Sequence, residues 1–203
     1  MLKRHARTSR GMTLIELMVT LAIAALLMFT VAPDIASWLR NIQIRNAAES
    51  IQTGLQRARN EAVRRNAPVR FSLVALSSPS TMDNSCALSA VAGSWTVSLR
   101  DPSGKCGMAA SDTVDPMLID AHPIADGGRS TAITATQADG TAASSIVFDA
   151  FGRATSAGSI VRIDVSHATA TTGVRPLSIR LTTGGSVRMC DPNVSSTTDP
   201  RHC

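Results

Sequence analysis

Residues 10–33 read RGMTLIELMVTLAIAALLMFTVAP, and this stretch governs the fold that we expect of the chain. From Met12 to Ala32 it holds 21 residues with a single charge, that of Glu16. At about 1.5 Å of rise per helical residue, such a run spans roughly 30 Å, the thickness of a bilayer core. Because lipid offers no hydrogen-bond partners to the backbone, we expect these residues to form a transmembrane helix.

Glu16 is the unusual residue of this run. An ionised side chain in lipid costs at least about 2.5 kcal/mol on insertion scales. One interpretation is that the carboxylate simply reaches the membrane interface. The other is that a cation compensates it, which makes Glu16 a candidate functional residue.

Basic residues are concentrated ahead of the apolar run. Residues 1–11 contain four Lys and Arg residues and no acid, which leaves 16 basic against 15 acidic side chains in the remainder. By the positive-inside rule, these charges hold the N-terminus in the cytoplasm and send the C-terminal domain across the membrane. A conventional secretory signal fits poorly, because cleavage would then follow the apolar run and no small-x-small site precedes Pro33.

A second helical stretch is expected from residue 34 to about residue 66. Pro33 removes one helical hydrogen bond and predicts a kink, and Pro68 predicts the end of the helix. Apolar residues recur three and four apart, which indicates an amphipathic helix. They are Ile35, Trp38, Leu39, Ile42, Ala48, Ile51, Leu55, Ala58 and Ala62. The opposite face carries Arg40, Arg45, Arg57, Arg59 and Arg64, interpreted as solvated surface or as a contact to neighbouring subunits or polyanions.

After Pro68 the pattern changes to short strands separated by turn signals. The predicted strands are residues 69–76, 94–100, 116–124, 130–136, 145–149, 159–166, 177–182 and 186–190. One long helix followed by antiparallel strands is an α+β arrangement, in which the apolar stripe of the helix lies on a sheet face.

The N-terminal pattern resembles a known signal. A short basic leader, then Gly11, then Met12-Thr13-Leu14-Ile15-Glu16, is similar to the class III signal of type IV pilins and type II secretion pseudopilins. The resemblance implies that a prepilin peptidase cuts after Gly11 and methylates Met12. It also implies that Glu16 pairs with the N-terminal amine of a neighbouring subunit.

Later motifs resemble the GspH/FimT domain. They are residues 58–69 (ARNEAVRRNAPV), 93–97 (GSWTV) and 147–153 (VFDAFGR). Residues 187–192 (VRMCDP), followed by 199–203 (DPRHC), are similar to the ending of FimT/FimU-type minor pilins.

The two resemblances together imply a pilin-like fold in four parts. These are a leader at 1–11, a transmembrane and assembly helix at 12–33, an amphipathic half-helix at 34–68, and a periplasmic β-rich domain at 69–203. We interpret the chain as a minor pilin that primes or caps type IV pilus assembly from the inner membrane. A type II secretion pseudopilin and a DNA-binding competence pilin are the alternatives. The expected partners are prepilin peptidase, other pilins or pseudopilins, and inner-membrane lipid.

Four cysteines lie beyond the apolar run, where disulfides persist: Cys86, Cys106, Cys190 and Cys203. Of the three possible connectivities we favour the sequential one, Cys86–Cys106 and Cys190–Cys203, because it closes two short loops. Each bond would add about 3 kcal/mol by the chain-entropy argument. No CxxC pair and no histidine spacing suits a metal, and no GxSxG or phosphate loop suits an enzyme, so we expect neither metal, cofactor nor catalysis.

A last interpretation concerns DNA. Some FimT proteins are implicated in DNA uptake through a Gly-Arg-x-Arg motif in the last hairpin, and the corresponding residues 185–188 read GSVR. One arginine fewer means one phosphate contact fewer. We therefore interpret Arg180 and Arg188 as surface strand residues, with DNA contact as the alternative.

Overall fold

The protein is described from a computed structural model, which covers residues 11–124, 128, 130–155, 158–169 and 172–203, without the side chains of residues 29–34. The expected leader therefore lies outside the described residues, apart from Gly11. The chain forms two compact units, Met1–Trp38 and Leu39–Cys203.

The helix α1 spans Leu14–Arg65. Its end agrees with the prediction: Asn66 adopts a left-handed backbone with φ of 49°, and Ala67 N–H donates to the Ala62 carbonyl at 3.2 Å. Asn66 N–H also donates to the Val63 carbonyl at 3.3 Å, so this is a Schellman motif, and Pro68 then prevents the helix from continuing. Residue 33 lies within the assigned helix, and the kink there stays a prediction. Among the described residues, no helix combines the length and the apolar character needed to cross a membrane.

Nine strands follow the helix in the described part of the chain. They are β1 (Val69–Ala75), β2 (Ala87–Leu88), β3 (Ser94–Ser98), β4 (Leu118–His122), β5 (Thr131–Thr136), β6 (Ser145–Phe148), β7 (Arg162–His167), β8 (Leu177–Leu181) and β9 (Val187–Cys190). The eight predicted strands are confirmed, most with shorter ends, although β7 ends one residue later than predicted, and β2 was missed because two residues carry no periodicity. The third was predicted to begin at residue 116, but Met117 has φ of 55°, which interrupts the extended backbone before β4.

The strands form two antiparallel sheets, which confirms the α+β class. The first has the order β2-β1-β3-β4, with β6 also paired to β1. The second has the order β5-β7-β8-β9.

One hydrophobic core joins α1 to both sheets. From the helix it contains Ile44, Ala47, Ala48, Ile51, Leu55, Ala58 and Ala62, and from the sheets it contains large residues such as Phe71, Phe148, Ile163 and Ile179. The predicted stripe was wrong at its beginning. Ile35, Trp38 and Leu39 are exposed, and the first helix residue of the buried cluster is Ile44.

Gly54 lets the helix approach the first sheet closely. A Cβ atom added there would lie 2.8 Å from Phe71 Cε2 and 2.8 Å from Trp95 Cδ2. The Trp95 ring is held on its other sides, since its Nε1 donates to Ser50 Oγ at 3.0 Å and it stacks on His122 with centroids 5.5 Å apart. The contact between helix and sheet is therefore set by a residue without a side chain.

Two disulfides close loops of the second unit. The structure joins Cys86 to Cys106 and Cys190 to Cys203, which is the sequential pairing. Cys86 and Cys106 pack with Val74 in a small second apolar cluster beside β1. This cluster covers a part of the first sheet that the helix does not reach.

Candidate functional site

The predicted processing and assembly residues lie together at the start of α1. Gly11, Met12 and Thr13 precede the helix in irregular backbone, and a Cβ added at Gly11 would have no neighbour within 4 Å. Glu16 lies in the first turn of the helix. The peptide bond between Gly11 and Met12 is therefore exposed and non-helical, as backbone cleavage requires.

Thr13 and Glu16 form a capping box. Glu16 N–H donates to Thr13 Oγ1 at 3.3 Å, while Thr13 N–H and Thr13 Oγ1 each donate to Glu16 Oε2 at 3.5 Å. The T-x-x-E spacing could have been recognised from the sequence, where we interpreted Glu16 as an assembly residue and did not predict its capping role. The two bonds to the carboxylate are at the long limit for hydrogen bonds, so Glu16 keeps the capacity to bind a stronger donor.

The part of the helix that follows presents an exposed apolar surface. Its large hydrophobic side chains from Met12 to Met28 are between 50% and 75% exposed. Soluble monomers rarely expose contiguous apolar surface of this extent, which marks it as a candidate interaction surface. Glu16 is the one acidic residue among these described positions.

A second cluster joins α1 to two turns of the sheets. Arg59 Nε donates to the Gly152 carbonyl at 3.0 Å. The turn after β6 and the turn between β8 and β9 touch here, because a Cβ added at Gly185 would lie 1.8 Å from the Gly152 carbonyl oxygen. Both glycines have positive φ, 73° and 76°, and no larger residue fits at Gly185. The interpretation of Arg59 as solvated surface was wrong: it is half-buried and fastens the helix to the turns.

The turn that contains Gly152 is fixed by Asp149. Its Oδ1 accepts the backbone N–H groups of Phe151 and Arg153 at 2.9 and 2.8 Å, and its Oδ2 accepts Arg153 Nε at 3.0 Å. The backbone N–H of Arg153 and then its guanidinium hold the pKa of Asp149 below its usual value. The turn presents Phe151, which is 76% exposed, with the Arg153 guanidinium 5.1 Å from the ring centroid. It is a rigid turn with an exposed aromatic residue at its tip.

The two arginines considered for DNA contact lie in one row across the second sheet. Arg180 on β8 faces Arg162 on β7 and Arg188 on β9. Arg188 is already engaged, because its Nη2 donates to the carbonyls of Pro200 and His202 at 2.8 and 2.7 Å. Arg180 Nε is buried without a hydrogen-bond partner in the described part of the chain. This geometry favours a structural role for Arg188, which holds residues 191–203 against the sheet.

Residues 191–203 are fastened at several further points. Asp191 N–H donates to the Arg201 carbonyl at 2.7 Å, and the disulfide to Cys203 begins one residue earlier. Asp199 Oδ2 pairs with Arg201 at 2.8 Å. Hydrogen bonds from the Arg201 side chain and backbone lower the pKa of Asp199 to about 2. The segment is thus a folded cover on β9.

Ser50 and His122 form the one serine–histidine contact that could suggest catalysis in the described part of the chain. Ser50 Oγ lies 3.5 Å from His122 Nδ1, but it also accepts the indole N–H of Trp95. The cavity beside them measures about 10 Å³, room for about one water molecule and none for a substrate. Among the described residues, no group of three His, Cys, Asp or Glu side chains is placed to hold a metal ion.

Comparison with known proteins gives two family matches and two similar structures. The family described as type II transport protein GspH matches residues 47–199, and the prokaryotic N-terminal methylation motif matches residues 6–32. Two crystal structures of the type IV minor pilin FimU of Pseudomonas aeruginosa are similar at 16% and 17% identity, with TM-scores of 0.42 and 0.41. Each alignment covers 75% of this chain, and the two alignments cover 99% and 95% of the respective FimU chains. No curated protein gives a significant match.

Proposed function

The chain belongs to the GspH family of type II transport proteins, and on that premise we propose that it is a minor pilin that helps to prime or cap a type IV pilus. The N-terminal methylation motif at residues 6–32 supports a pilin-type anchor. The protein would be held in the inner membrane by residues 12–33, with its N-terminus cytoplasmic and residues 69–203 periplasmic. The two disulfides support a periplasmic location for the second unit.

Processing is the first step of the proposal. A prepilin peptidase cuts between Gly11 and Met12 and methylates the new amine of Met12. The exposed, non-helical backbone of residues 11–13 supports this, since α1 begins only at Leu14. Cleavage leaves a cationic amine one residue before the capping box.

The surroundings of Glu16 support the assembly step, in which its carboxylate pairs with a neighbouring subunit. Its carboxylate lies among exposed apolar side chains, and within the described residues it accepts two hydrogen bonds, both of 3.5 Å. A desolvated carboxylate gains most from a charged donor, and the amine of Met12 from a neighbouring subunit would supply one. Neighbouring pilins or lipid would then cover the apolar surface of α1.

The test replaces Glu16 in the full chain. Glu16→Gln keeps the side-chain shape and removes the charge, and Glu49→Gln is the matched control on the same helix, where Glu49 pairs only with Arg45. We expect Glu16→Gln to be processed normally by intact mass and to enter sheared filaments at least about 10-fold less than wild type, the equivalent of about 1.4 kcal/mol. Incorporation of Glu16→Gln at the level of Glu49→Gln would refute the assembly role.

A type II secretion pseudopilin is the second candidate, and the name of the matching family favours it. The cysteine-bounded residues 190–203, which resemble the ending of FimT/FimU-type pilins, favour the pilus. Deletion of the gene separates the two candidates. We expect surface pili to be lost while secreted enzymes are still exported, whereas lost export with intact pili would establish the pseudopilin instead.

A further inference from the structure

A polar groove runs between α1 and the last hairpin. Gln56, Arg59 and Asn60 line it from the helix, and Ser186 and Val187 line it from the start of β9. It is open to solvent, with a volume of about 310 Å³. No acidic side chain lines it, and Arg59 is its one charged residue.

The guanidinium of Arg59 is held in place through its Nε atom. Its Nε donates to the Gly152 carbonyl, and its two terminal nitrogens have no hydrogen-bond partner in the described part of the chain. The closely packed turns at Gly152 and Gly185 fix the position of that carbonyl. The terminal N–H groups are therefore pre-oriented, and such a fork suits a carboxylate with two oxygens.

The other polar side chains of the groove are also available. The amides of Gln56 and Asn60 and the hydroxyl of Ser186 make no side-chain hydrogen bond within the described residues, and all three residues are exposed. Amide N–H₂ groups on either side of an arginine add donors for a carboxylate or for a peptide carbonyl. The groove thus offers one cation flanked by neutral donors.

We propose that this groove binds an acidic peptide segment of a neighbouring filament subunit, with a carboxylate on Arg59. The choice of partner rests on the proposed function, because a subunit in a fibre lies against its neighbours. Charge complementarity favours a peptide over a nucleic acid. A nucleic acid is held by a row of cations that follows its phosphates, and the groove contains a single one.

The test is a titration of the full chain in detergent with a fluorescent hexaglutamate peptide, followed by anisotropy at low salt. Hexaglutamine and a 12-base-pair DNA with the same label are the comparison probes. The variant Gln56→Glu/Asn60→Asp adds two negative charges without changing side-chain shape and leaves the Arg59–Gly152 bond intact. Gln43→Glu is the control, about 20 Å away along the helix at 1.5 Å per residue.

We expect wild type and Gln43→Glu to bind hexaglutamate equally, and the double variant to bind at least about 5-fold more weakly. Higher salt should weaken binding, and hexaglutamine should not bind. Equal binding by wild type and the double variant would overturn the proposal, as would binding of DNA in place of hexaglutamate. This result is independent of the Glu16 filament test, so either idea can fail while the other stands.

Discussion

Gly54 provides the sharpest test of how the helix is seated on the first sheet. In an ordinary helix, replacing glycine with alanine stabilises by about 1 kcal/mol, because alanine loses less backbone entropy on folding. Here the added Cβ would lie 2.8 Å from ring atoms of both Phe71 and Trp95, which real Cβ contacts essentially never show. The sign of the effect therefore depends on which contribution is larger.

The ring atoms cannot move away at low cost. Phe71 is fully buried and Trp95 is 3% exposed. Trp95 is further held by its bond to Ser50 and its stacking on His122. Overpacking of a well-packed core costs about 1–3 kcal/mol, and we place this site at the upper end because two rings are displaced. After the propensity gain, Gly54→Ala should lower the free energy of unfolding by about 2 kcal/mol.

The assay is urea unfolding of the oxidised chain, followed by tryptophan fluorescence, with the midpoint and slope compared to wild type. Thr53→Ala is the matched control, since Thr53 is exposed on the same helix turn and alanine there should be neutral or slightly stabilising. The equivalent loss in melting temperature is about 4–8 °C for a unit of this size. If Gly54→Ala were as stable as Thr53→Ala, the close contact between helix and rings would be wrong.

Three further predictions concern the sheets and residues 191–203. Arg188→Ala removes the donor for two carbonyls of that segment, so limited proteolysis should cut it faster while the rest of the chain stays resistant. Serine in place of both Cys86 and Cys106 should cost about 3 kcal/mol of unfolding free energy by urea titration, with unchanged far-ultraviolet dichroism. Because the pKa of Asp199 falls from 3.8 to about 2 on folding, its contribution to stability should be complete above pH 4 and lost as the pH falls towards 2. The carboxyl chemical shift of Asp199 measures that midpoint, and a value near 3.8 would contradict the pairing with its neighbouring arginine.

Hydrophobic periodicity was enough to predict the helix and eight of the nine strands that the described residues form. The spacing of Ile51, Leu55, Ala58 and Ala62 follows one helix face, and the structure buries all four. Pro68 and the residue before it predicted the helix end because their backbone preferences are local. Where local preference and burial agree, sequence alone is sufficient.

The contacts that sequence reasoning could not supply join residues distant along the chain. Arg59 looks like a surface residue by charge, and only the approach of Gly152, 93 positions away, gives it a partner. Arg188 was predicted as a surface strand residue and lies exposed on β9. Only its acceptors, the carbonyls of Pro200 and His202, could not be predicted, because residues 191–203 must first fold back. The buried stripe of the helix was predicted to begin at Ile35 but begins at Ile44, because periodicity does not indicate where the sheet begins to cover the helix.

The two disulfides also limit how far the chain can lengthen under mechanical tension. They enclose sequence separations of 20 and 13 residues, and pulling force passes through the sulfur atoms rather than through the enclosed backbone. At about 3.4 Å per extended residue, roughly 110 Å of contour is withheld from any stretch. If the chain is stretched within a fibre, it would therefore lengthen less than its number of residues suggests. Residues 191–202 would carry no tension, because they lie inside the loop that Cys190 and Cys203 close.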